Sequence, residues 1–216
     1  MAEPLRFAVL ISGRGSNLLA LATAAAAGRI AGQIVLVISD QPQAGGLDHA
    51  RRFGIPTAVR PLARGSDRAA WSRELDALLR AHGVELIVLA GFMRILDPDF
   101  VGRWPGRILN IHPSLLPRHR GLHTHRRVLE AGDPVHGCTV HFVSPELDAG
   151  PAVIQGRFAV QPDATEESLT ARVQQLEHII YPRAVGWFAG GRLTLVDSVV
   201  QLDGRPLPAP VIEDSA

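Results

Sequence analysis

Hydrophobic positions in this chain fall alternately into short unbroken runs and into helical spacing. Leu5–Ile11 is a nearly continuous apolar run, the pattern of a strand buried on both faces. Residues 18–27 are rich in Ala and Leu and read as a helix ending near Gly28. A second apolar run covers residues 34–39. Residues 44–53 follow as a helix closed by Gly54, and residues 55–59 as a third strand. Residues 67–82 put Trp71, Leu75, Leu78 and Leu79 on one helical face, with Gly83 as the stop. Residues 84–90 are the strongest strand, all apolar except Glu85. A loop at 91–96, a short helix at 97–103 and a strand at 107–112 come next. Strands alternating with helices predict an α/β fold with a parallel, doubly wound sheet.

Beyond residue 112 the pattern changes. A helix is expected at 124–131, strands at 139–143 and 152–160, and a long helix at 165–188. Glu166 and Glu167 suit the positive end of that helix dipole, and Pro182 should kink it. Residues 193–202 with the Asp203-Gly204 turn suggest a C-terminal hairpin, and residues 206–216 read as a loose tail. There is no internal repeat and no clear linker.

Asn110-Ile111-His112-Pro113-Ser114-Leu115-Leu116-Pro117 closes the last strand of the alternating half. Side chains two residues apart on a strand share a face, so the Asn110 amide and the His112 imidazole stand side by side. Pro113 ends the strand, because it has no N–H for the ladder. Open α/β sheets bind ligands at that carboxyl end. Asp148, in an Asp-Ala-Gly-Pro turn, and His141, in the strand leading to it, are the candidate partners of His112. A carboxylate beside an imidazole orients it and favours its charged form. Asn110 offers an N–H to a developing oxyanion. The set suggests acyl-type transfer without a covalent nucleophile. No Gly-x-Ser-x-Gly elbow is present, and Ser114 lies in a Pro-bounded loop.

The loop after the first strand, Ser12-Gly13-Arg14-Gly15-Ser16-Asn17, joins a buried strand to a helix and can present backbone N–H groups to an anion. It lacks the third glycine of a dinucleotide fingerprint, since Leu18 stands there, and Asp40 sits in a Gln-Pro turn. A monophosphate therefore fits better than a dinucleotide. Met93, Ile95, Leu96 and Val143 either pack in the core, as their spacing alone favours, or line a slot for a planar ring, and Glu177 either lies on a solvated helix face or pairs a ligand amine.

Composition narrows the classes. The chain has 216 residues, 46% hydrophobic and 20% charged, with net charge +1. That is ordinary for one globular domain and gives no basic surface for nucleic acid or an anionic membrane. Cys138 is the only cysteine, so no internal disulfide or cysteine-based zinc cluster is available. All 22 basic residues are Arg, which excludes a Schiff-base or Walker A lysine. His112, His119, His123 and His125 do not form an H-E-x-x-H arrangement, and no metal site is expected. The N-terminus has no signal-peptide layout and no apolar run is long enough for a membrane span. A cytoplasmic enzyme is expected, acting as a monomer or homodimer.

The ordered motifs resemble those of the folate-dependent phosphoribosylglycinamide formyltransferase family. They are Ile11-Ser12-Gly13 with Gly15-Ser16-Asn17-Leu18, then 89–96, 109–117 and 121–125, Val140-His141-Phe142-Val143, Glu146-Leu147-Asp148 with Gly150-Pro151, and Glu177-His178 with Tyr181-Pro182. The resemblance implies a Rossmann-like formyltransferase fold: a mostly parallel twisted sheet, helices on both faces and a C-terminal β-hairpin. It implies one domain over 1–216, with a phosphate-binding half at about 1–105, a catalytic and folate half at about 106–205, and the tail. It implies formyl transfer from 10-formyltetrahydrofolate to the amine of phosphoribosylglycinamide, with no metal. Asn110, His112 and Asp148 match the catalytic trio. Gly15, Ser16, Asn17, Arg107, Ile111, Pro113 and Glu177 match contacts to the phosphoribosyl substrate. Arg68, Met93, Arg94, Ile95, Leu96, Asn110, Val143, Ser144, Pro145, Glu146, Leu147 and Asp148 match the folate site. Two segments depart from the family pattern. Arg14 stands where a small polar residue is usual, and Arg118-His119-Arg120 replaces a segment that usually has Pro before Gly121. The rivals are a formyltetrahydrofolate hydrolase, which usually has an N-terminal regulatory domain and a second His where this chain has Pro113, and a non-catalytic nucleotide-binding module. The tRNA-formylating relatives carry a C-terminal RNA-binding domain, for which residues 201–216 leave no room.

Overall fold

The computed structural model describes residues 3–63 and 65–215. Strand β1 (Leu5–Ile11) sets its two sides, because successive side chains point to opposite faces. Phe7, Val9 and Ile11 enter one apolar cluster, and Ala8 and Leu10 the other. Helices α1 (Ser16–Ala26), α2 (Gly46–Arg52) and α6 (Glu166–Ala189) cover the first cluster with Leu18, Leu21, Leu47, Leu169 and Ile180. Helices α3 (Arg68–Ala81) and α4 (Pro98–Gly102) cover the second with Trp71, Leu75, Leu79 and Phe100. This two-sided burial is why β1 reads as an unbroken apolar run.

β2 (Gly32–Ser39) and β3 (Thr57–Val59) extend the sheet in parallel on one side of β1. β4 (Leu86–Leu89) and β5 (Ile108–His112) extend it in parallel on the other. The chain therefore reverses its direction of travel across the sheet between β1 and β4, and a crevice forms beyond their carboxyl ends. β6 (Val135–Phe142) and β7 (Ala152–Ala159) continue antiparallel beside β5, giving the order β11-β7-β6-β5-β4-β1-β2-β3. α5 (Thr124–Ala131) precedes β6 and sends Val128 into the first cluster. The sheet is mostly parallel, with helices on both faces.

Three expectations need correction. Residues 206–216 are not simply a tail: β11 (Val211–Asp214) pairs in parallel with β7 at the sheet edge. Its polar residues hid this role. Asp214 pairs with Arg157 at 2.6 Å, and Glu213 with Arg183. β6 begins four residues earlier than its apolar pattern suggested, because buried His136 looks polar while packing edge-on against Phe158. The C-terminal hairpin joins β8 (Leu193–Val196) to β9 (Val199–Leu202) through Asp197-Ser198, both at positive φ, as tight two-residue turns require. Asp203-Gly204 makes a second such turn, into β10 (Arg205–Pro206). α6 is a single 24-residue helix through Pro182, started by a reciprocal Thr165–Ser168 capping box.

Candidate active site

Three parallel strands deliver their following loops to one end of the sheet. The loop after β1 and the loop after β4 are tied together: Ser12 N–H donates to Gly91 O at 3.1 Å, and Met93 N–H donates to Ser12 Oγ at 2.8 Å. Buried Tyr181, from α6, bridges the end of β4 and the first half of β5, with its hydroxyl 2.8 Å from Leu89 O and 3.1 Å from Leu109 O. Between these loops lies a cleft of about 570 Å³, a volume suited to a small organic ligand. Its walls are largely apolar, from Phe92, Ile95, Leu96, Val143 and Leu147, and Asn110, His112 and Asp148 meet along it.

Gly150 brings Asp148 there. A Cβ on Gly150 would lie 1.8 Å from Phe142 O, so only glycine lets the 144–151 loop fold back on β6. Asp148 itself is left-handed, at φ 50, a conformation Asp tolerates better than most residues. Its Oδ2 accepts from Gly121 N–H at 2.9 Å and lies 3.4 Å from His112 Nδ1. The expected Asp–His pairing is therefore within reach. The other nitrogen, His112 Nε2, donates to His119 O at 3.0 Å. With Nε2 anchored on the backbone, Nδ1 faces the carboxylate.

His141 is not the partner of His112. It lies opposite Asn110 in the β5–β6 ladder, and its Nε2 is 3.1 Å from Asn110 Nδ2. His141 Nδ1–H donates to Phe142 O at 2.9 Å, which leaves Nε2 as the acceptor. Burial pushes this imidazole down to about 4, so it is neutral at physiological pH. It fixes the Asn110 amide with one N–H occupied and the other available. A histidine next to the last residue of β6 gave no sequence signal for this role.

The glycine loop meets α6. Asn17 Nδ2 donates to Glu177 Oε2 at 2.9 Å across 160 residues, and both side chains are buried. Asn17 Oδ1 is buried with no hydrogen-bond partner among the described residues. Gly15, at φ 78, caps α1, and a Cβ there would lie 2.5 Å from Gly46 Cα. The loop therefore requires glycine and exposes its backbone N–H groups beside Ser16.

Burial raises the Glu177 carboxyl to about 7, against the bond from Asn17 that lowers it. The folded carboxyl keeps its proton to higher pH than the unfolded one. Stability therefore falls as pH rises from about 4.5 to about 7 and then levels. Glu177→Gln is expected to remove this part of the pH dependence, worth at most about 3 kcal/mol. Urea titrations of both proteins at pH 4.5, 6 and 8 check it. Parallel stability profiles would contradict it.

Every expected folate-site residue except Arg68 lines the cleft, as do Ile111 and Pro113. Arg68 opens α3, exposed and outside the cleft wall. Arg107 precedes β5, at the opposite end from His112, and donates to Glu85 O at 3.1 Å. Arg107 is five positions from His112 along an extended chain, roughly 16 Å, so it does not reach the same site. Arg94 lines the cleft but its guanidinium pairs with Asp40 at 2.6 Å. Burial alone would raise the Asp40 carboxyl, but bonds from Ser12, Arg94 and Gln41 hold it below the usual range. Asp40 is thus a brace for the loop after β4. Ser114 Oγ donates to Arg118 O at 2.7 Å and is buried, as a structural hydroxyl would be.

The Formyl transferase family matches residues 5–185. The chain is 48% identical over 200 residues to phosphoribosylglycinamide formyltransferase of Escherichia coli (strain K12), covering 93% of this chain and 94% of that one. The chain belongs to the phosphoribosylglycinamide formyltransferase family. A solved formyltransferase of that name from Coxiella burnetii superposes with a TM-score of 0.93 at 45% identity, covering 98% of this chain and 100% of that chain. A formyltetrahydrofolate deformylase from Pseudomonas syringae shares the fold with a TM-score of 0.87, at 24% identity over 93% of this chain and 66% of that chain. The formyltransferase fold accounts for the mostly parallel sheet and the added antiparallel hairpin. No helix among the described residues is long and apolar enough to cross a membrane.

Proposed function

We propose that this enzyme transfers the formyl group of 10-formyltetrahydrofolate to the primary amine of phosphoribosylglycinamide, a step of purine biosynthesis, by direct attack through a tetrahedral intermediate. The observation that carries the reading is the meeting of Asn110, His112 and Asp148 along one apolar cleft. The cleft fits a planar, largely apolar donor, with polar groups only where the formyl carbon would lie. The Gly15-Ser16-Asn17 loop and Glu177 would hold the phosphoribosyl substrate, with Ile111 and Pro113 lining the passage between the two ligands. Residues 1–105 would thus mainly bind phosphate and residues 106–205 carry the catalytic and folate contacts. The reaction would take place in the cytoplasm, in a monomer or homodimer.

The amine nitrogen attacks the formyl carbon, and the carbonyl π pair moves to oxygen. The free N–H of Asn110 donates to that oxyanion, and so does the Nδ1–H of His112, which lies 3.4 Å from Asp148 Oδ2 without a hydrogen bond to it in the free protein. Asp148 accepts the proton shed by the new ammonium, directly or through one water. As the tetrahedral centre collapses, the carbon–nitrogen bond to the folate breaks and the proton passes to the departing nitrogen. The products are the N-formylated amine and tetrahydrofolate, and the carboxylate is regenerated. The donor arrives already activated, so the enzyme supplies orientation and charge stabilisation.

Tetrahydrofolate release, followed with and without phosphoribosylglycinamide, tests the reading. Release that depends on the amine substrate is expected. Equal release without it would mean hydrolysis, and no release in either case would favour a binding module.

A further inference from the structure

The imidazole of His112 is held on its far side by a second histidine–carboxylate pair. Its Nε2–H donates to the backbone carbonyl of His119. Residue 119 lies in the left-handed region, at φ 55, which is uncommon outside glycine, so something must fix that peptide. The His119 ring does so, with Nε2 2.7 Å from Asp133 Oδ2. Asp133 is buried just after α5, and its other oxygen takes a bond from Arg118. Ser114 Oγ donates to the neighbouring carbonyl of Arg118 at 2.7 Å and lies 3.3 Å from His119 O. Two consecutive residues, 118 and 119, are thus clamped on one carboxylate, and the His119 carbonyl, between their clamps and the active site, accepts the hydrogen bond from His112 Nε2–H.

We infer that His119 and Asp133 are positioning residues for formyl transfer: their pair fixes the His119 carbonyl, which orients the His112 ring so that Nδ1 faces Asp148. Neither residue lines the substrate cleft. His119 belongs to the Arg118-His119-Arg120 segment, where this chain departs from the family pattern.

The geometry makes the consequence specific. The His119 ring contributes a donor to Asp133, not volume alone. Without it the 118–120 peptides can rotate, His119 O leaves Nε2, and the His112 ring loses its fixed plane. A misplacement of about 1 Å can cost ~10²-fold in rate; a partial loss of order, with Arg118 still on Asp133, should cost on the order of tenfold.

The test compares His119→Phe, His119→Gln and Asp133→Asn with the wild type, with Tm recorded for each. His119→Phe keeps the ring and removes the donor. It should lower kcat about tenfold while KM for both substrates stays within twofold. His119→Gln, which restores an N–H towards Asp133, should recover most of kcat. In substrate-free protein, the wild-type His112 Nε2–H proton should give a downfield, slowly exchanging NMR signal. That signal should be lost in His119→Phe and in Asp133→Asn, also if either variant is only moderately stable. The inference rests on the proposed formyl transfer, but the NMR signal does not depend on turnover. A wild type inactive on phosphoribosylglycinamide would therefore overturn that reading alone. An unchanged Nε2–H signal, or kcat within twofold of wild type in His119→Phe, would overturn the positioning role. So would failure of His119→Gln to exceed His119→Phe.

Discussion

Asn110→Ala and His112→Ala are each expected to lower kcat by ~10²–10³, the usual cost of one lost oxyanion donor. The two side chains project from the same face of β5, so each removes one of two converging N–H groups and leaves the cleft intact. KM should change little, because on the proposed reading the apolar walls and the glycine loop would bind the substrates without them. The first deletion also leaves buried His141 Nε2 without its donor, whereas His119 O keeps Ser114 Oγ at 3.3 Å after the second. A drop in stability of about 1–3 kcal/mol is therefore expected for Asn110→Ala as well. Steady-state kinetics run below each variant's melting transition separate the two effects. Near-normal turnover by either folded variant would remove its residue from the site.

Asp148→Asn should be at least as damaging, with kcat lower by ~10²–10⁴, the range for a lost general acid–base. Asn is the informative replacement. It tolerates the left-handed backbone at 148, so the loop set by Gly150 should survive. One carboxamide oxygen can still accept from Gly121 N–H. The NH2 group must then face His112 Nδ1–H, donor against donor, and no group remains to take the ammonium proton. Substrate affinity measured by equilibrium binding should stay close to wild type. A kcat within threefold of wild type would mean that solvent carries the proton and that Asp148 only orients the loop.

Local pattern revealed much of this site, for a physical reason. Asn110 and His112 are adjacent on one strand face by covalent geometry alone, and Pro113 marks the strand end, so their pairing needed no tertiary information. The buried runs of β1, β2 and β4 likewise announce a sheet covered on both faces. Partnerships that cross the fold were less legible. Asp148 reaches His112 only because Gly150 folds against β6, and the Asn17–Glu177 bond spans α1 and α6. The role of His141 could not be read from spacing, since it depends on the antiparallel register that sets it opposite Asn110. Arg107 illustrates the reverse error: it is near His112 in sequence but at the other end of β5. The edge strand β11 was missed because its stabilising contacts are ion pairs to Arg157 and Arg183, which leave no hydrophobic pattern.

The central claim is that the cleft passes a formyl carbon from a folate nitrogen to an amine, and following that carbon tests it most directly. With 10-formyltetrahydrofolate labelled at the formyl carbon and an excess of phosphoribosylglycinamide, all released label should appear in the N-formyl product. It should match tetrahydrofolate one for one, with no labelled formate above the enzyme-free rate. Label recovered as formate, with none in the amide, would contradict the account.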